Sequence, residues 1–376
     1  MNIAFLVGGD YTTSLYIVTQ DIAEHLRDQG HVVDYIFVEE PGSELKNNDK
    51  FIDIKGISRN SLKKPGGFVL RLLKNTISRH MYAYLLSGYF SRQLQKNLDG
   101  YDVVFIHGSS YLSFFRITTP HYCVLHSCKY QNFLGQRKGL QKKLYQRMYQ
   151  QVFGGSRLLT VSDSVRLDMV DQMQARPESI ETLYNGFDFD KLQQKAATAS
   201  SALHDKPFIV AAGRPDRTKR FDVLLNAYAK TKRTHDLLIF GDGRKLPELK
   251  ALARELGIEK QVVFKGFNRD VLSYFKQASA YILSSDLEGL PTVIVESLAV
   301  GTPVVATEVG GVRELLQGEL SQWIVPRGDA DALAEKIDAI LEHPPVVGPE
   351  NIAFLDYRLV SDKYLQLSEK LHHGLQ

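Results

Sequence analysis

Apolar and polar residues alternate over the first ~40 positions in the order strand, helix, strand. An apolar run at residues 2–7 predicts a buried strand, and the spacing of apolar residues over 14–29 predicts an amphipathic helix. Gly30 directly after that helix is a usual helix stop, and residues 31–38 predict a second strand. A strand, a helix and a strand in succession indicate a parallel sheet with helices on its faces.

The same pattern continues along the chain with one interruption. Strand periodicity is lost over residues 191–206, which we interpret as a linker between a domain at 1–190 and a domain at 207–352, followed by a helical segment at 353–376. Two doubly wound α/β domains leave a cleft, and ligands bind such sheets at the carboxyl ends of the strands. Further strands are predicted at 103–106, 122–125, 158–161, 180–183, 208–212, 237–240, 262–264, 280–283 and 304–306, and helices at 67–98, 165–173 and 357–371.

Composition places the chain among soluble globular proteins. Its 376 residues are 44% hydrophobic and 24% charged, and no apolar run approaches the roughly 20 residues that span a bilayer. The first apolar run lacks a basic flank, so we expect it to be a buried strand and not a secretion signal. Cys123 and Cys128 are the only cysteines, which excludes a disulfide framework and suits a reducing compartment. We expect a cytoplasmic protein.

Charge is distributed unevenly. Residues 54–162 contain 17 Lys and Arg but only two acidic residues, Asp99 and Asp102, so this region carries +15 while the rest carries −12. Aromatic and aliphatic residues are interleaved with these cations. Such a surface suits the anionic face of a membrane, although a solvated basic face without a partner is the alternative. Nucleic acid is disfavoured as a partner because no recognition motif accompanies the charge.

Two carboxylates stand out in the second predicted domain. Glu288 follows the apolar strand at 280–283, and Glu296 comes eight positions later, about one and a half turns inside a predicted helix. Free amides at a helix start can hold a phosphate, and carboxylates accept hydrogen bonds from sugar or ribose hydroxyls. Glu296 sits among apolar neighbours, where an unpaired charge is costly. A bound ligand or partner explains it better than a solvated helix face.

This segment resembles the Glu-x7-Glu motif of glycosyltransferase family 4, down to Gly-x-Pro-Val-Val at 301–305 and a Val-Gly-Gly turn at 309–311. The resemblance spans about half the chain in the family's order. Its other elements are Ala212-Gly213-Arg214 with Lys219, Phe240-Gly241-Asp242-Gly243, Phe264-Lys265-Gly266-Phe267 and Tyr184-Asn185-Gly186-Phe187-Asp188.

The resemblance implies a GT-B fold, in which two Rossmann-like domains face a central cleft and the last helix crosses back to the first domain. It implies a retaining, metal-independent hexosyltransferase without a cofactor, whose donor is a nucleotide diphosphate sugar, with UDP the expected nucleotide. The acceptor would be a glycan or a lipid-linked molecule in polysaccharide or lipopolysaccharide synthesis. We hypothesise that residues 54–162 then dock on the inner face of the cell membrane to reach such an acceptor.

The resemblance also assigns roles to individual residues. Glu288 would contact the donor sugar and Glu296 the ribose. Arg214 and Lys219 would stabilise the departing diphosphate, which gains negative charge as the glycosidic bond breaks. His126, after the strand at 122–125, would lie beside the reacting sugar. The backbone expected near the donor comprises Gly9, Gly266, Gly289, Leu290, Pro291 and Thr292, of which Pro291 lacks an amide hydrogen.

Metal sites and two other functions are the alternatives to this assignment. His121, Cys123, His126 and Cys128 resemble metal ligands in type, but their spacing fits no closed zinc pattern. The Asp-x-Asp strings at 188–190 and 329–331 suit a turn and a helix cap better than a metal site. A nucleotide-sugar epimerase that does not hydrolyse its donor and a non-catalytic scaffold protein share this fold and are the alternative functions.

Overall fold

In the computed structural model, the chain folds into two parallel β-sheets with flanking helices. The structure describes residues 1–8, 11, 13–38, 45–46, 48–52, 78–108, 112–197 and 202–373. The chain divides into two units. The first comprises Met1–Phe187 with Leu355–Gln376, and the second comprises Asp188–Phe354. Each unit is a Rossmann-like α/β fold, as the alternation of strand and helix patterns predicted.

The first unit contains a seven-stranded sheet in the order β3-β2-β1-β4-β5-β6-β7. The order reverses between β1 and β4, the kind of point at which doubly wound sheets bind ligands. Its strands are β1 Asn2–Val7, β2 Val32–Phe37, β3 Lys50–Phe51, β4 Val103–His107, β5 His121–Leu125, β6 Arg157–Thr160 and β7 Ser179–Thr182. Its helices are α1 Ser14–Asp28, α2 Arg79–Leu85, α3 Ser87–Gln95, α4 Gly139–Phe153 and α5 Asp163–Leu167.

The first strand and helix show why the pattern folds this way. Residues 3–7 of β1 are fully buried, because a central parallel strand is covered on both faces. Helix α1 starts where the Thr13 side chain accepts a hydrogen bond from the Tyr16 amide. It buries the stripe containing Ile22 and Leu26 and is followed by Gly30 at φ +88°, the left-handed conformation that glycine favours.

The second unit contains a six-stranded sheet in the order β10-β9-β8-β11-β12-β13, which reverses between β8 and β11. Its strands are β8 Phe208–Ala212, β9 Asp236–Phe240, β10 Val262–Gly266, β11 Ala280–Leu283, β12 Val304–Thr307 and β13 Ile324–Val325. Its helices are α6 Phe189–Ala196, α7 Phe221–Lys230, α8 Leu246–Glu255, α9 Val271–Gln277, α10 Thr292–Ala299, α11 Val312–Leu315 and α12 Ala330–Glu342.

The segment predicted as a linker is partly helical. Helix α6 covers its start, buries Phe189 and Ala196, and packs against α9 and α10. The Gln193 side chain donates a hydrogen bond to the Ala299 carbonyl at 3.1 Å. The boundary between the units therefore falls at Asp188, upstream of the predicted 191–206. Loss of strand alternation marked a change to helical periodicity here.

Two helix predictions differ in detail from the structure. The one over 165–173 is a short helix, α5, that continues as a wider turn over Asp168–Gln172. The one over 67–98 is found as α2 and α3, while its first part, residues 67–77, lies outside the described residues.

The C-terminal helix α13, Tyr357–His373, belongs to the first unit, as the resemblance implied. It enters through backbone hydrogen bonds on both sides of Phe187: the Phe187 amide donates to Leu355, and the Tyr357 amide donates to Phe187. A Cβ on Gly186 would lie 2.9 Å from the Tyr357 Cα, so only glycine allows this approach. Helix α13 then packs against α1 and buries Tyr364.

Candidate functional site

Lys219 and Glu288 form an ion pair at the point where the strand order of the second sheet reverses. Lys219 Nζ lies 2.7 Å from Glu288 Oε1, and the two side chains are only 21% and 13% exposed. Lys219 follows β8 and Glu288 follows β11, and these parallel strands are neighbours, so the loops after them meet at one edge. The fold thus joins a cation and an acid that the sequence assigned to one site from positions 69 residues apart.

Hydrogen bonds fix the two loops to each other. The Asp286 amide donates to the Thr218 carbonyl at 2.8 Å, and Ser284 Oγ donates to the Lys219 carbonyl at 2.9 Å. Thr307 Oγ1 on neighbouring β12 donates to the Ser285 carbonyl at 2.6 Å. Lys219 and Glu288 are therefore held on a rigid backbone before any ligand binds.

The Val-Gly-Gly turn supports the backbone of Glu288. Gly310 adopts φ +51°, and a Cβ there would lie 2.6 Å from the Glu288 carbonyl oxygen. The Gly311 amide donates to the Gly289 carbonyl at 2.8 Å. Gly310 is therefore required both by its conformation and by close backbone contact.

Three further glycines allow neighbouring strand ends to touch. The Gly213 amide donates to Phe240 at 3.0 Å, and the Gly241 amide donates to Gly266 at 2.8 Å. A Cβ on Gly241 would lie 2.0 Å from the Gly213 carbonyl oxygen, and a Cβ on Gly213 would meet the Lys219 side chain at 3.1 Å. Gly266, which was predicted to lie near the donor, therefore contacts Gly241, and Gly241 in turn contacts Gly213 in the loop that carries Lys219.

Glu296 lies half-buried on α10, among apolar residues as expected. Burial raises the pKa of Glu296 to about 7, and the positive charge of Lys195 partly opposes that rise. Buried Tyr281 interacts electrostatically with both Glu296 and Glu288. Burial raises the pKa of Tyr281 well above its usual value, and the negative charges of Glu288 and Glu296 add to the rise. Both acids therefore lie within electrostatic reach of one phenol.

Tyr281 also fixes the end of β8. Its hydroxyl donates to the Ala212 carbonyl at 3.0 Å and accepts from the Ala212 amide at 3.2 Å. Sequence reasoning missed this residue, because a tyrosine inside an apolar strand has the pattern of an ordinary core residue.

The raised pKa of Glu296 predicts a pH-dependent stability. The carboxyl titrates near its ordinary value of 4.5 when unfolded and at about 7 when folded. Between these values the unfolded chain has lost the proton and the folded chain keeps it, so stability falls as pH rises and the penalty is complete above pH 7. Glu296→Gln removes this penalty. In urea unfolding, we expect the free energy of unfolding of the variant to exceed that of wild type by about 1–3 kcal/mol at pH 8 and by almost nothing at pH 4. An equal difference at both pH values would show that the effect does not come from the raised pKa of Glu296.

Arg214 does not contact the acids. Its guanidinium Nε lies 3.2 Å from the Asp216 carboxylate, and the side chain is 78% exposed. Sequence reasoning expected Arg214 and Lys219 to meet Glu288 and Glu296 at one pocket. The structure brings only Lys219 and Glu288 into contact, so the expectation is wrong for Arg214, whose guanidinium is held by its near neighbour Asp216. The exposed pair with Asp216 is worth about 0–1 kcal/mol, so a stronger anion could displace it.

Arg220, which sequence reasoning missed, connects the two loops instead. Its Nη1 donates to Asp286 at 2.7 Å, and its Nε and Nη2 donate to Asp222 at 3.0–3.2 Å. Its backbone is left-handed at φ +48°, which is strained for a side chain of this size. The carboxylates on both sides hold it there. Asp286 directly follows the buried Ser284 and Ser285 of the motif. This acidic residue was the signal in the sequence that could have indicated a cation nearby.

The remaining predicted donor contacts are placed as follows. Leu290 and Pro291 are buried, and Thr292 begins α10. Gly289 accepts the hydrogen bond from Gly311. Gly9 lies outside the described residues.

In the first unit, His126 follows β5 and pairs with a second histidine. Its Nε2 lies 3.0 Å from Nδ1 of His107, the last residue of neighbouring β4. Burial, together with the positive charge of nearby Lys129, lowers the pKa of His126 to about 3. His107 was missed, although its place at a strand end was a usable signal.

The cysteines and the Asp-x-Asp strings, which have the side-chain types of metal ligands, are placed as follows. Cys123 and Cys128 are buried and form no disulfide. Asp188 caps α6 by accepting from the Lys191 amide, and Asp329 caps α12 by accepting from two amides. Within the described ranges, no group of three or more His, Cys, Asp or Glu side chains is arranged to hold a metal ion.

Comparison with known families covers both units. A model described as Glycosyltransferase Family 4 matches residues 17–191, and one described as Glycosyl transferases group 1 matches residues 193–351. Together these two matches are consistent with a glycosyltransferase of family 4. The predicted motifs in the second unit, including Glu288 and Glu296, lie inside the second match.

Curated relatives of this glycosyltransferase share limited identity. It is 34% identical over 176 residues to an N-acetylgalactosamine-N,N'-diacetylbacillosaminyl-diphospho-undecaprenol 4-alpha-N-acetylgalactosaminyltransferase of Campylobacter jejuni, covering 46% of this chain and 48% of the relative. It is 30% identical over 175 residues to the lipopolysaccharide core biosynthesis glycosyltransferase LpsE of Rhizobium meliloti, covering 43% and 50%. The matches thus span about half the length of these two relatives.

Solved structures share the fold of the whole glycosyltransferase. Sucrose-phosphate synthase of Thermosynechococcus elongatus superposes with a TM-score of 0.75 at 20% identity, covering 100% of both chains. A glycosyltransferase of Rickettsia africae superposes with a TM-score of 0.72 at 17% identity, covering 98% of each. Anabaena HepE, solved in complex with UDP, gives 0.70 at 18% identity, covering 98% and 100%. The predicted GT-B fold class is confirmed.

Proposed function

We propose that this chain is a retaining, metal-independent glycosyltransferase that moves a hexose from a nucleotide diphosphate sugar, with UDP as the first candidate nucleotide, to a glycan or lipid-linked acceptor. It would act in polysaccharide or lipopolysaccharide synthesis on the cytoplasmic side. The observation that carries the proposal is the Lys219–Glu288 ion pair at the switch point of the second sheet.

The ion pair suits a diphosphate leaving group. An ammonium group has three donors, and Glu288 takes one of them, which leaves two for phosphate oxygens. As the glycosidic bond breaks, negative charge grows on the diphosphate, and a cation already fixed in place stabilises it without reorganisation. The fixed charge of Lys219 would supply electrostatic stabilisation that a bound metal supplies in other transferases.

The other predicted donor contacts fit around this pair. Glu288, partly exposed beside Lys219, would accept from donor sugar hydroxyls, and Glu296 would accept from the ribose. Since the ion pair of Arg214 with Asp216 is exposed and weak, the diphosphate would draw that guanidinium away. No separate nucleophile is invoked, because the acceptor hydroxyl would attack on the face from which the diphosphate departs.

The names of relatives support the acceptor class. One is named for a diphospho-undecaprenol acceptor, another for lipopolysaccharide core biosynthesis, and a third, WcaL of Escherichia coli, as a putative colanic acid biosynthesis glycosyltransferase. Such acceptors carry phosphate or lie at a membrane. A basic first unit suits them for the same electrostatic reason.

Helix α4 carries a surface that suits a membrane. Leu140 and Leu144 are 84% and 53% exposed, and exposed Lys143 and Arg147 lie on the same face at helical spacing. The opposite face of α4 buries Tyr145 and its neighbours against the unit. None of the described helices has both the length and the hydropathy to cross a bilayer. We propose that this outer face of α4 docks on anionic lipid.

Charge reversal on α4 tests the docking. Lys143→Glu with Arg147→Glu is expected to weaken binding to phosphatidylglycerol vesicles in flotation at low salt at least about 30-fold, since each cation contributes ~1 kcal/mol. The matched control is Lys250→Glu with Arg254→Glu, which changes the same charge at the same spacing on α8 and should leave flotation unchanged. Absence of wild-type flotation, or equal loss in both variants, would reject the surface.

Incubation with nucleotide sugars tests the function itself. Purified chain with EDTA is given UDP-glucose, UDP-N-acetylglucosamine, UDP-galactose and GDP-mannose, with and without extracted lipid-linked oligosaccharide. Transfer, or slow release of the nucleoside diphosphate, supports the proposal, and the configuration of the new linkage tests retention. An epimerised donor would indicate the epimerase, and no turnover of any donor would indicate a scaffold.

A further inference from the structure

His107 and His126 form a pair of imidazoles at the carboxyl ends of β4 and β5. The 3.0 Å distance between His107 Nδ1 and His126 Nε2 is that of a hydrogen bond. His107 is 0% exposed, while His126 is half-buried. His126 is therefore the member that a substrate can reach, and His107 acts on it from inside the unit.

Aromatic rings enclose His107. Its ring centroid lies 5.3 Å from that of Phe5 and 6.2 Å from that of Tyr364 on α13. In the described part of the chain, His107 Nε2 is buried with no hydrogen-bond partner. A buried polar atom without a partner is costly, and a phenylalanine would fill this cage without that cost. The polar group at this position is explained by its bond to His126.

The hydrogen bond couples the two rings. Burial lowers the pKa of both histidines, so both are neutral near pH 7. Each neutral imidazole carries one proton, and the shared bond needs one proton in total. The choice of tautomer in one ring therefore dictates the tautomer of the other. Because Nε2 of His107 is buried without an acceptor among the described residues, a proton there would be costly, which favours the pair of tautomers in which His107 Nδ1 donates to His126 Nε2.

We propose that His107 is a positioning residue that holds His126 in a single tautomer, with its Nδ1 as the nitrogen available to a sugar hydroxyl. This inference rests on the proposed function and on the place beside the reacting sugar that the family resemblance implies for His126. His107 itself touches no substrate. It acts by fixing which way the His126 ring turns and where its proton lies.

Two substitutions separate positioning from packing. His107→Asn can place an amide near the position of Nδ1 and keep a hydrogen bond to His126, whereas His107→Phe keeps an aromatic ring and loses that bond. We expect His107→Phe to lower kcat about tenfold, as loss of an orienting partner does at metal-bound histidines, with donor KM nearly unchanged. His107→Asn should retain more activity than His107→Phe. The reverse order would show that the ring serves packing alone.

Nitrogen NMR of the full-length chain gives a readout that does not depend on activity. In wild type, His126 should show one protonated and one unprotonated ring nitrogen at distinct shifts, assigned by their loss in His126→Gln. In His107→Phe the two shifts should move towards averaged values. Averaged shifts in wild type, or unchanged shifts in His107→Phe, would overturn the inference. If wild type transfers no sugar, the proposed function fails while this measurement still decides the tautomer.

Discussion

Lys219→Ala is expected to lower kcat for glycosyl transfer by about 10²–10³-fold, the usual loss when one fixed donor to a developing negative charge is removed. The ammonium stands in contact with Glu288 before the reaction begins, so wild type needs no reorganisation to receive the diphosphate. Steady-state kinetics with the donor identified by the incubations measures the effect. Because the interaction grows as the bond breaks, kcat should fall more than donor KM rises.

Two comparisons keep this prediction specific. Lys230→Ala breaks another Lys–acid pair of the same unit, with Asp331, at the surface, and should leave kcat within about twofold of wild type. Lys219→Ala with Glu288→Gln removes the uncompensated carboxylate, so it should recover the melting temperature that Lys219→Ala loses while remaining inactive. A Lys219→Ala enzyme with wild-type kcat would show that this cation does not serve the leaving group.

Gly310→Ala is expected to cost both stability and activity. The backbone at φ +51° already disfavours a side chain, by about 1–2 kcal/mol. The new Cβ would also lie 2.6 Å from the Glu288 carbonyl and 2.8 Å from that of Gly289, closer than any real contact, so the loop carrying Glu288 must move. We expect a total loss of about 3–4 kcal/mol in urea unfolding and a fall in kcat/KM of about 10²-fold, since a small misplacement of a positioning group has that effect.

Gly257→Ala isolates the contribution of conformation. Gly257 has a similar φ of +65°, but a Cβ there has no atom within 4 Å. This variant should lose only about 1–2 kcal/mol and keep wild-type kinetics. If Gly310→Ala and Gly257→Ala behave alike, the contact between the Val-Gly-Gly turn and Glu288 does not contribute to activity.

Much of the architecture was determined by local sequence. The buried strand at Asn2–Val7, the helix at Ser14–Asp28 and its stop at Gly30 follow from apolar spacing and one glycine, which act within a few residues. Five of the six strands described in the second unit were found for the same reason, whereas the two-residue β13 was not predicted. The helix at Phe189–Ala196 has few apolar residues, although they keep helical spacing, and most of this helix falls within the predicted linker.

The sequence alone determined part of the content of the candidate site. The resemblance to glycosyltransferase family 4 selected Lys219, Glu288 and Glu296, and the apolar neighbours of Glu296 already indicated a carboxyl with an unusual environment. The resemblance treated Arg214 and Lys219 alike. It also gave no weight to Arg220, because a basic loop has the same composition whether its cations face solvent or carboxylates.

The sequence by itself determined that this chain builds two doubly wound sheets and carries two acids and two cations near strand ends. Only the tertiary structure decided that Lys219 meets Glu288, that Arg214 pairs with Asp216 in solvent, and that His107 lies behind His126. The reason is how far apart in the sequence the interacting residues lie. Strands and helices follow from neighbours a few residues apart, whereas these contacts join residues brought close by strand order and by hydrogen bonds between loops, which no local pattern encodes.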